Sequence, residues 1–130
     1  MSESPLRVLV VEDEALIRWS IAETLQQHGH AVVEADSAAS AVEALHDEPG
    51  PIDVILLDLR LPDSSDLGLL AKIRRLRPNA AVVMMTAYST CELAGDALAL
   101  GAYRVLDKPF DIQAIEPLLL EASNARSSLQ

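Results

Sequence analysis

The chain has 130 residues, half of them apolar, so one compact core held without disulfides or a structural metal is expected. Its 20 acidic against 10 basic residues give a formal charge of -10, which opposes phosphate backbones and anionic lipid, so direct nucleic-acid binding is not expected. The longest apolar run, Ala80 to Met85, falls far short of the ~20 residues of a bilayer span; the start Met-Ser-Glu-Ser-Pro lacks a signal-peptide pattern, and one cysteine, Cys91, builds neither a disulfide framework nor a zinc site, so a cytoplasmic protein with no membrane role is expected.

Leu6 to Val11 is apolar apart from Arg7 and runs into an acidic cluster, the pattern of a buried strand that ends at polar chemistry. From Ala15 the apolar positions Ile17, Ile21 and Leu25 recur at helical spacing, and Gly29 supplies a left-handed stop. Ala31 to Ala35 reads as a strand, Ala38 to His46 as a helix with Ser37 placed to cap it, and Ile52 to Leu57 as a strand closed by Asp58. Leu67, Leu70, Ile73 and Leu76 mark a third helix, whose last turns carry Lys72, Arg74, Arg75 and Arg77 and which Pro78-Asn79 ends; the basic end is read as a solvated face. Ala81 to Met85 is a strand, Thr90 to Leu100 a helix stopped by Gly101, Tyr103 to Leu106 a last short strand, and Asp111 to about Ser123 a final helix, in which Pro117 is expected to remove a backbone bond. Strands alternating with helices imply a doubly wound α/β fold, a five-stranded parallel sheet covered on both faces by right-handed crossovers. The domain is placed at residues 1–124, with 125–130 as a frayed tail or the start of a linker.

Ligands of an open parallel sheet bind at the carboxyl edge of its strands, and there this chain concentrates charged and hydroxyl side chains. Glu12, Asp13 and Glu14 follow the first strand, Asp58 the third, Thr86 the fourth and Lys108-Pro109 the fifth. Carboxylates of Glu12, Asp13 and Asp58 drawn within about 4 Å would repel at roughly 4 kcal/mol per pair, which a hard divalent cation offsets. An all-oxygen set suits Mg²⁺ better than zinc, and His28, His30 and His46 lack metal-ligand spacing. A carboxylate beside such an ion is a nucleophile toward phosphoryl groups, the role given to Asp58, with Lys108 and Thr86 holding the remaining phosphoryl oxygens.

The stretches Val-Leu-Val-Val-Glu-Asp-Glu at 8 to 14, Val-Ile-Leu-Leu-Asp-Leu-Arg-Leu-Pro-Asp at 54 to 63, Met-Met-Thr-Ala-Tyr at 84 to 88 and Gly-Ala-Tyr-Arg-Val-Leu-Asp-Lys-Pro-Phe at 101 to 110 stand in order at strand ends. Together they resemble the receiver domain of two-component response regulators over Leu6 to Ala122, and so imply a CheY-like, flavodoxin-like three-layer (βα)5 sandwich. The resemblance further implies a signalling phosphoacceptor that takes a phosphoryl group on Asp58 from a sensor histidine kinase or phosphotransfer protein. In it Mg²⁺ is ligated by Asp13, Asp58 and the backbone carbonyl of Arg60, with Glu12 acting mostly through water. Lys108 bridges to the phosphoryl group, Thr86 reports it, and Lys108-Pro109 is a cis bond. The output is a changed surface on the fourth helix, fifth strand and fifth helix, a surface through which a homodimer can form.

The chain departs from the family at several places. Val105 stands where the switch residue is aromatic, so the usual aromatic coupling has no carrier at that position, with Tyr103 and Tyr88 the nearest substitutes. Asp66 replaces a glycine beside the site, and Arg60 and Tyr88 are bulky at the positions that tune water access, so slow loss of the phosphoryl group is expected.

Each motif alone also has a blander reading: Asp58 as a turn acid, Glu12 and Asp13 as the acidic start of a helix, Thr86 as a strand-end hydroxyl, Trp19 as helix packing, Cys91 as a small buried hydrophobe. Two rival functions are weaker. A magnesium-dependent phosphatase with an aspartyl nucleophile usually has a second acid where this chain has Arg60, and an interaction-only pseudo-receiver would not need the full acid, threonine and lysine set. A dinucleotide site lacks its Gly-x-Gly-x-x-Gly turn. Either a stand-alone regulator or the front of a larger protein fits this chain.

Overall fold

The computed structural model describes residues 5–87 and 89–128. In chain order the elements are β1 (Arg7–Val11), α1 (Ala15–Gln27), β2 (Ala31–Ala35), α2 (Ala38–Asp47), β3 (Val54–Asp58), α3 (Gly68–Leu76), β4 (Ala81–Thr86), α4 (Cys91–Ala99), β5 (Arg104–Asp107) and, after a single 3-10 turn at Ile112–Ala114, α5 (Ile115–Ser128). The strands form one parallel sheet in the order β2-β1-β3-β4-β5.

Alternation along the strands sorts the core onto two faces. Leu9, Val11, Ile55, Leu57, Val82 and Met84 pack with Leu45 of α2, Leu70 and Ile73 of α3 and Ala97 of α4. Their neighbours Val8, Val10, Val54, Leu56, Val83 and Met85 pack on the opposite side with Ile21 and Leu25 of α1 and Leu118, Leu119 and Ala122 of α5. The central strands are apolar without alternation because both faces are covered. The expected fold class is therefore present.

Local signals act where the sequence placed them. Ser37 accepts from the Ser40 amide in a capping box, and Thr90, expected inside the fourth helix, is instead its N-cap and accepts from the Leu93 amide. Gly29 and Gly101 close α1 and α4 at φ of 89° and 108°, where other residues are strained. At Gly101 a Cβ would also stand 2.7 Å from Arg74 Nε.

Four expectations change. Pro117 is the third residue of α5, within the first turn, where backbone amides have no acceptor inside the helix, so its missing N–H removes no α-helical bond. The last helix runs to Ser128 rather than stopping near Ser123. Cys91 is exposed, because it opens α4 directly after its cap and faces away from the sheet. The basic end of α3 is also more than a solvated face. Arg74 donates to the Pro78 and Ala80 carbonyls of the turn directly after its helix, while Arg77 donates to those of Leu45, Glu48 and Gly50 and so ties α3 to the end of α2 and the loop before β3.

Candidate functional site

The order of the strands fixes where a site can form. From β1 the chain steps to β2 on one side and then crosses to β3 on the other, so the crevice beyond the carboxyl ends of β1 and β3 is the switch point of the sheet. Glu12 and Asp13 follow β1, and Asp58 ends β3 opposite Met85 of β4. Thr86, one residue further, ends β4 opposite Asp107, and its carbonyl accepts from the Lys108 amide at 2.7 Å. The last turn of each strand thus brings residues 12, 58, 86 and 108 to one edge.

Glu12 is fully buried, Asp58 is 5% exposed and Thr86 2% exposed, while Asp13 is exposed. One carboxylate oxygen from each of Glu12, Asp13 and Asp58 lies within 4.8 Å of the other two. Lys108 Nζ donates to Glu12 Oε1 at 2.7 Å and to Asp58 Oδ2 at 3.0 Å. The other oxygens are held by backbone: Glu12 Oε2 accepts from the Glu14 amide at 3.0 Å and Asp58 Oδ1 from the Arg60 amide at 3.2 Å. Burial pulls the pKa of Lys108 down, but the hydrogen bonds and charges of Glu12 and Asp58 outweigh it and hold the pKa above the ordinary lysine value. The ammonium therefore stays charged at neutral pH and partly neutralises the acids. These are oxygen donors of the kind that suits a hard divalent cation; the Glu12, Asp13 and Asp58 cluster has the composition and spacing to bind one.

A model of the response regulator receiver domain matches residues 8–119. The chain belongs to that family. It is 36% identical over 115 residues to the DNA-binding transcriptional regulator NtrC of Proteus hauseri, a match covering 88% of this chain but 24% of that protein, so the chain spans about a quarter of that relative. The fold agrees with a receiver domain protein (CheY-like) from Methanospirillum hungatei, with a TM-score of 0.89 at 27% identity over 98% of this chain and all of that one. The receiver domain of NtrX from Brucella abortus gives 0.80 at 33% identity, covering 90% and 98% of the two chains.

This receiver domain keeps the acids, threonine and lysine that its sequence motifs mark, and its Lys108-Pro109 bond is cis. Val105 is half-buried and packs against the core on the side of α4, beside Thr86, Leu93 and Ala97. Tyr103 lies on the other face and donates to Glu121 at 2.5 Å. Tyr88 lies outside the described residues. Asp66 accepts from the Gly68 amide at 2.9 Å, at the start of α3.

Three polar contacts were not legible as part of the site or its frame. Asp63, in the loop that follows Asp58, accepts from the Ala38 and Ala39 amides at 2.7 and 3.0 Å and so caps α2; those bonds hold its pKa below the usual carboxylate value. Arg18 donates to the Glu12 carbonyl. His30, buried between β1 and α5, accepts from the Leu6 amide at Nδ1, which leaves the proton on Nε2 for Glu116 at 2.9 Å. The Asp63 and His30 contacts join residues distant in sequence, and Arg18 reaches back six residues across the turn from β1 to α1, so helical or strand periodicity carries no trace of any of them.

Proposed function

We propose that this receiver domain takes a phosphoryl group onto Asp58 from a sensor histidine kinase or a phosphotransfer protein. The observation that carries this reading is the convergence of Glu12, Asp13 and Asp58 with Lys108 bridging two of them. In the proposed reaction a carboxylate oxygen of Asp58 attacks phosphorus as the bond to the donor imidazole breaks, and the imidazole regains a proton from water. Bound Mg²⁺ supplies positive charge for the transferred oxygens. Asp13, Asp58 and the backbone carbonyl of Arg60 would hold it directly, and Glu12 would act through water. Lys108 turns from Asp58 toward the phosphoryl group, the Thr86 hydroxyl hydrogen-bonds it, and Arg60 and Tyr88 slow its hydrolysis by restricting water. The same positive charge that eases transfer onto Asp58 eases later attack by the water that Arg60 and Tyr88 admit, so the domain assists its own phosphorylation and, slowly, its dephosphorylation.

The donor's seat is supported by a groove of about 690 Å³ beside Lys108, walled by Leu16 and Trp19 of α1 and by Pro109, Phe110 and Ile112. Leu16 and Trp19 are 74% and 58% exposed there, an apolar surface next to the acceptor that suits a helical partner. Phosphorylation then changes the face of α4, β5 and α5 to control a partner, an attached effector or a homodimer. With Val105 in place of an aromatic, the change passes through the packing of Thr86 and Val105 against Leu93 and Ala97. Among the described residues no helix is long and apolar enough to cross a membrane, and we place the domain in the cytoplasm, where a kinase would supply the phosphoryl group. We take the receiver unit as residues 1–124, with α5 continuing to Ser128 before any tail or linker.

Incubation with acetyl phosphate and Mg²⁺, followed by intact mass, tests the reading. A gain of one phosphoryl group is expected, and it is lost with EDTA and in Asp58→Asn. No gain in the unsubstituted protein, or an equal gain in Asp58→Asn, overturns it.

A further inference from the structure

The acid turn after β1 is fixed from more sides than its chemistry alone requires. The Glu12 amide donates to the Ala35 carbonyl at 3.0 Å, continuing the pairing of β1 with β2. Its two carboxylate oxygens are taken by Lys108 and by the Glu14 amide. The remaining polar group of Glu12 is its carbonyl, which is also one end of the peptide joining it to Asp13. That carbonyl accepts from Arg18 Nη1 at 2.8 Å. Arg18 stands on α1 with its side chain 19% exposed, and its Nε donates to Glu34 Oε1 at 3.1 Å, from the β2 position opposite Val10. The planar guanidinium thus spans from the end of β1 to β2, with its donors in a fixed fork.

We propose that Arg18 is a positioning residue for the cation site: by locking the Glu12–Asp13 peptide plane it fixes the direction in which the exposed Asp13 carboxylate projects toward Asp58. The inference rests on the cation-binding reading above, and its physical logic gives a sign that separates it from mere charge. A guanidinium at the acid turn opposes a second cation there, so if only its charge mattered, removing it would tighten Mg²⁺ binding. If it fixes a ligand's direction, removing it weakens binding, because an ion of strict octahedral demand loses a preset oxygen. Pairing with Glu34 already offsets much of the Arg18 charge, so the loss of geometry dominates.

Titration calorimetry of the full chain with MgCl₂ reads this directly. Arg18→Ala is expected to weaken Mg²⁺ binding by about tenfold, the scale found when groups that orient metal ligands are removed. Arg18→Lys keeps the charge but presents a single point donor that cannot hold both oxygens, so a smaller weakening is expected; this variant decides the matter should the alanine variant fail to fold. A purely structural role would lower the denaturation midpoint of both variants while leaving Mg²⁺ affinity unchanged. Unchanged or tighter binding in the folded variants overturns the proposal while leaving the cation site standing. Absence of Mg²⁺ binding in the unsubstituted protein overturns both.

Discussion

Lys108→Met keeps a long apolar stem and removes the ammonium that lies 2.7 Å from Glu12 and 3.0 Å from Asp58. At an effective dielectric of about 20, each contact represents roughly 6 kcal/mol of gross attraction, most of it offset by the cost of drying the ions. What remains when one partner of a buried pair is deleted is about 3 to 5 kcal/mol. The lysine side chain keeps 16% of its surface in water, which places the loss near the lower end, about 3 kcal/mol. A urea dependence of roughly 1 to 3 kcal/mol per molar turns that into a fall in midpoint of about 1 to 3 M, measured in EDTA. Mg²⁺ brings back the missing positive charge, so in saturating MgCl₂ most of the loss should be recovered, and the variant should bind Mg²⁺ more tightly than the parent. An equal loss of stability with and without Mg²⁺ would refute this account of Lys108. The pH dependence follows from the sign of its shift. A raised lysine pKa contributes stability that is present below the unfolded value and lost as pH climbs through the folded one, so in EDTA the difference between parent and variant should hold from neutral pH to about 10.5 and shrink only above it.

Trp19→Ala should slow phosphoryl transfer from a histidine donor domain while leaving uptake from acetyl phosphate unchanged; equal rates from both donors, relative to the parent, would remove α1 from the docking surface. Asp63→Asn should loosen the start of α2 and lessen stability at neutral pH, with the deficit closing in acid as the parent's carboxyl protonates below the ordinary value of 3.8; a deficit independent of pH in urea titrations would contradict a charged cap. Replacing Arg60 and Tyr88 together by alanine should shorten the lifetime of the phosphorylated protein severalfold, followed by intact mass over time, and an unchanged lifetime would dissociate these side chains from water access.

How much of this was readable depends on the range of the interaction concerned. The strands β3 and β4 announce themselves because apolar runs such as Val54 to Leu57 must be buried on both faces, and each run stops at the residue the site uses, Asp58 or Thr86. Helix caps at Ser37 and Thr90 were legible, or nearly so, because capping acts over three residues. Arg77 looks like part of a solvated face because its acceptors on α2 and the following loop come near only once the sheet is assembled, and Arg74 because its bonds to the turn after its helix do not show in the helical period. Cys91 was misjudged because burial depends on which way the first turn of α4 faces, and an apolar residue type does not specify that. In the site itself, the residue types and their strand-end positions were sufficient to nominate Glu12, Asp13, Asp58, Thr86 and Lys108. Arg18 offered no comparable signal: a lone arginine on an amphipathic helix looks like any solvated cation until its distance to the Glu12 carbonyl is known.

The claim on which the account rests is that the side chain of residue 58 accepts phosphorus, and the acceptor can be mapped chemically. After exposure to acetyl phosphate and Mg²⁺, borohydride converts an aspartyl phosphate to homoserine, which tandem mass spectrometry locates in the digested chain. Homoserine is expected at position 58 and at no other aspartate; conversion at a different residue, or none at all, would contradict phosphoryl transfer to Asp58.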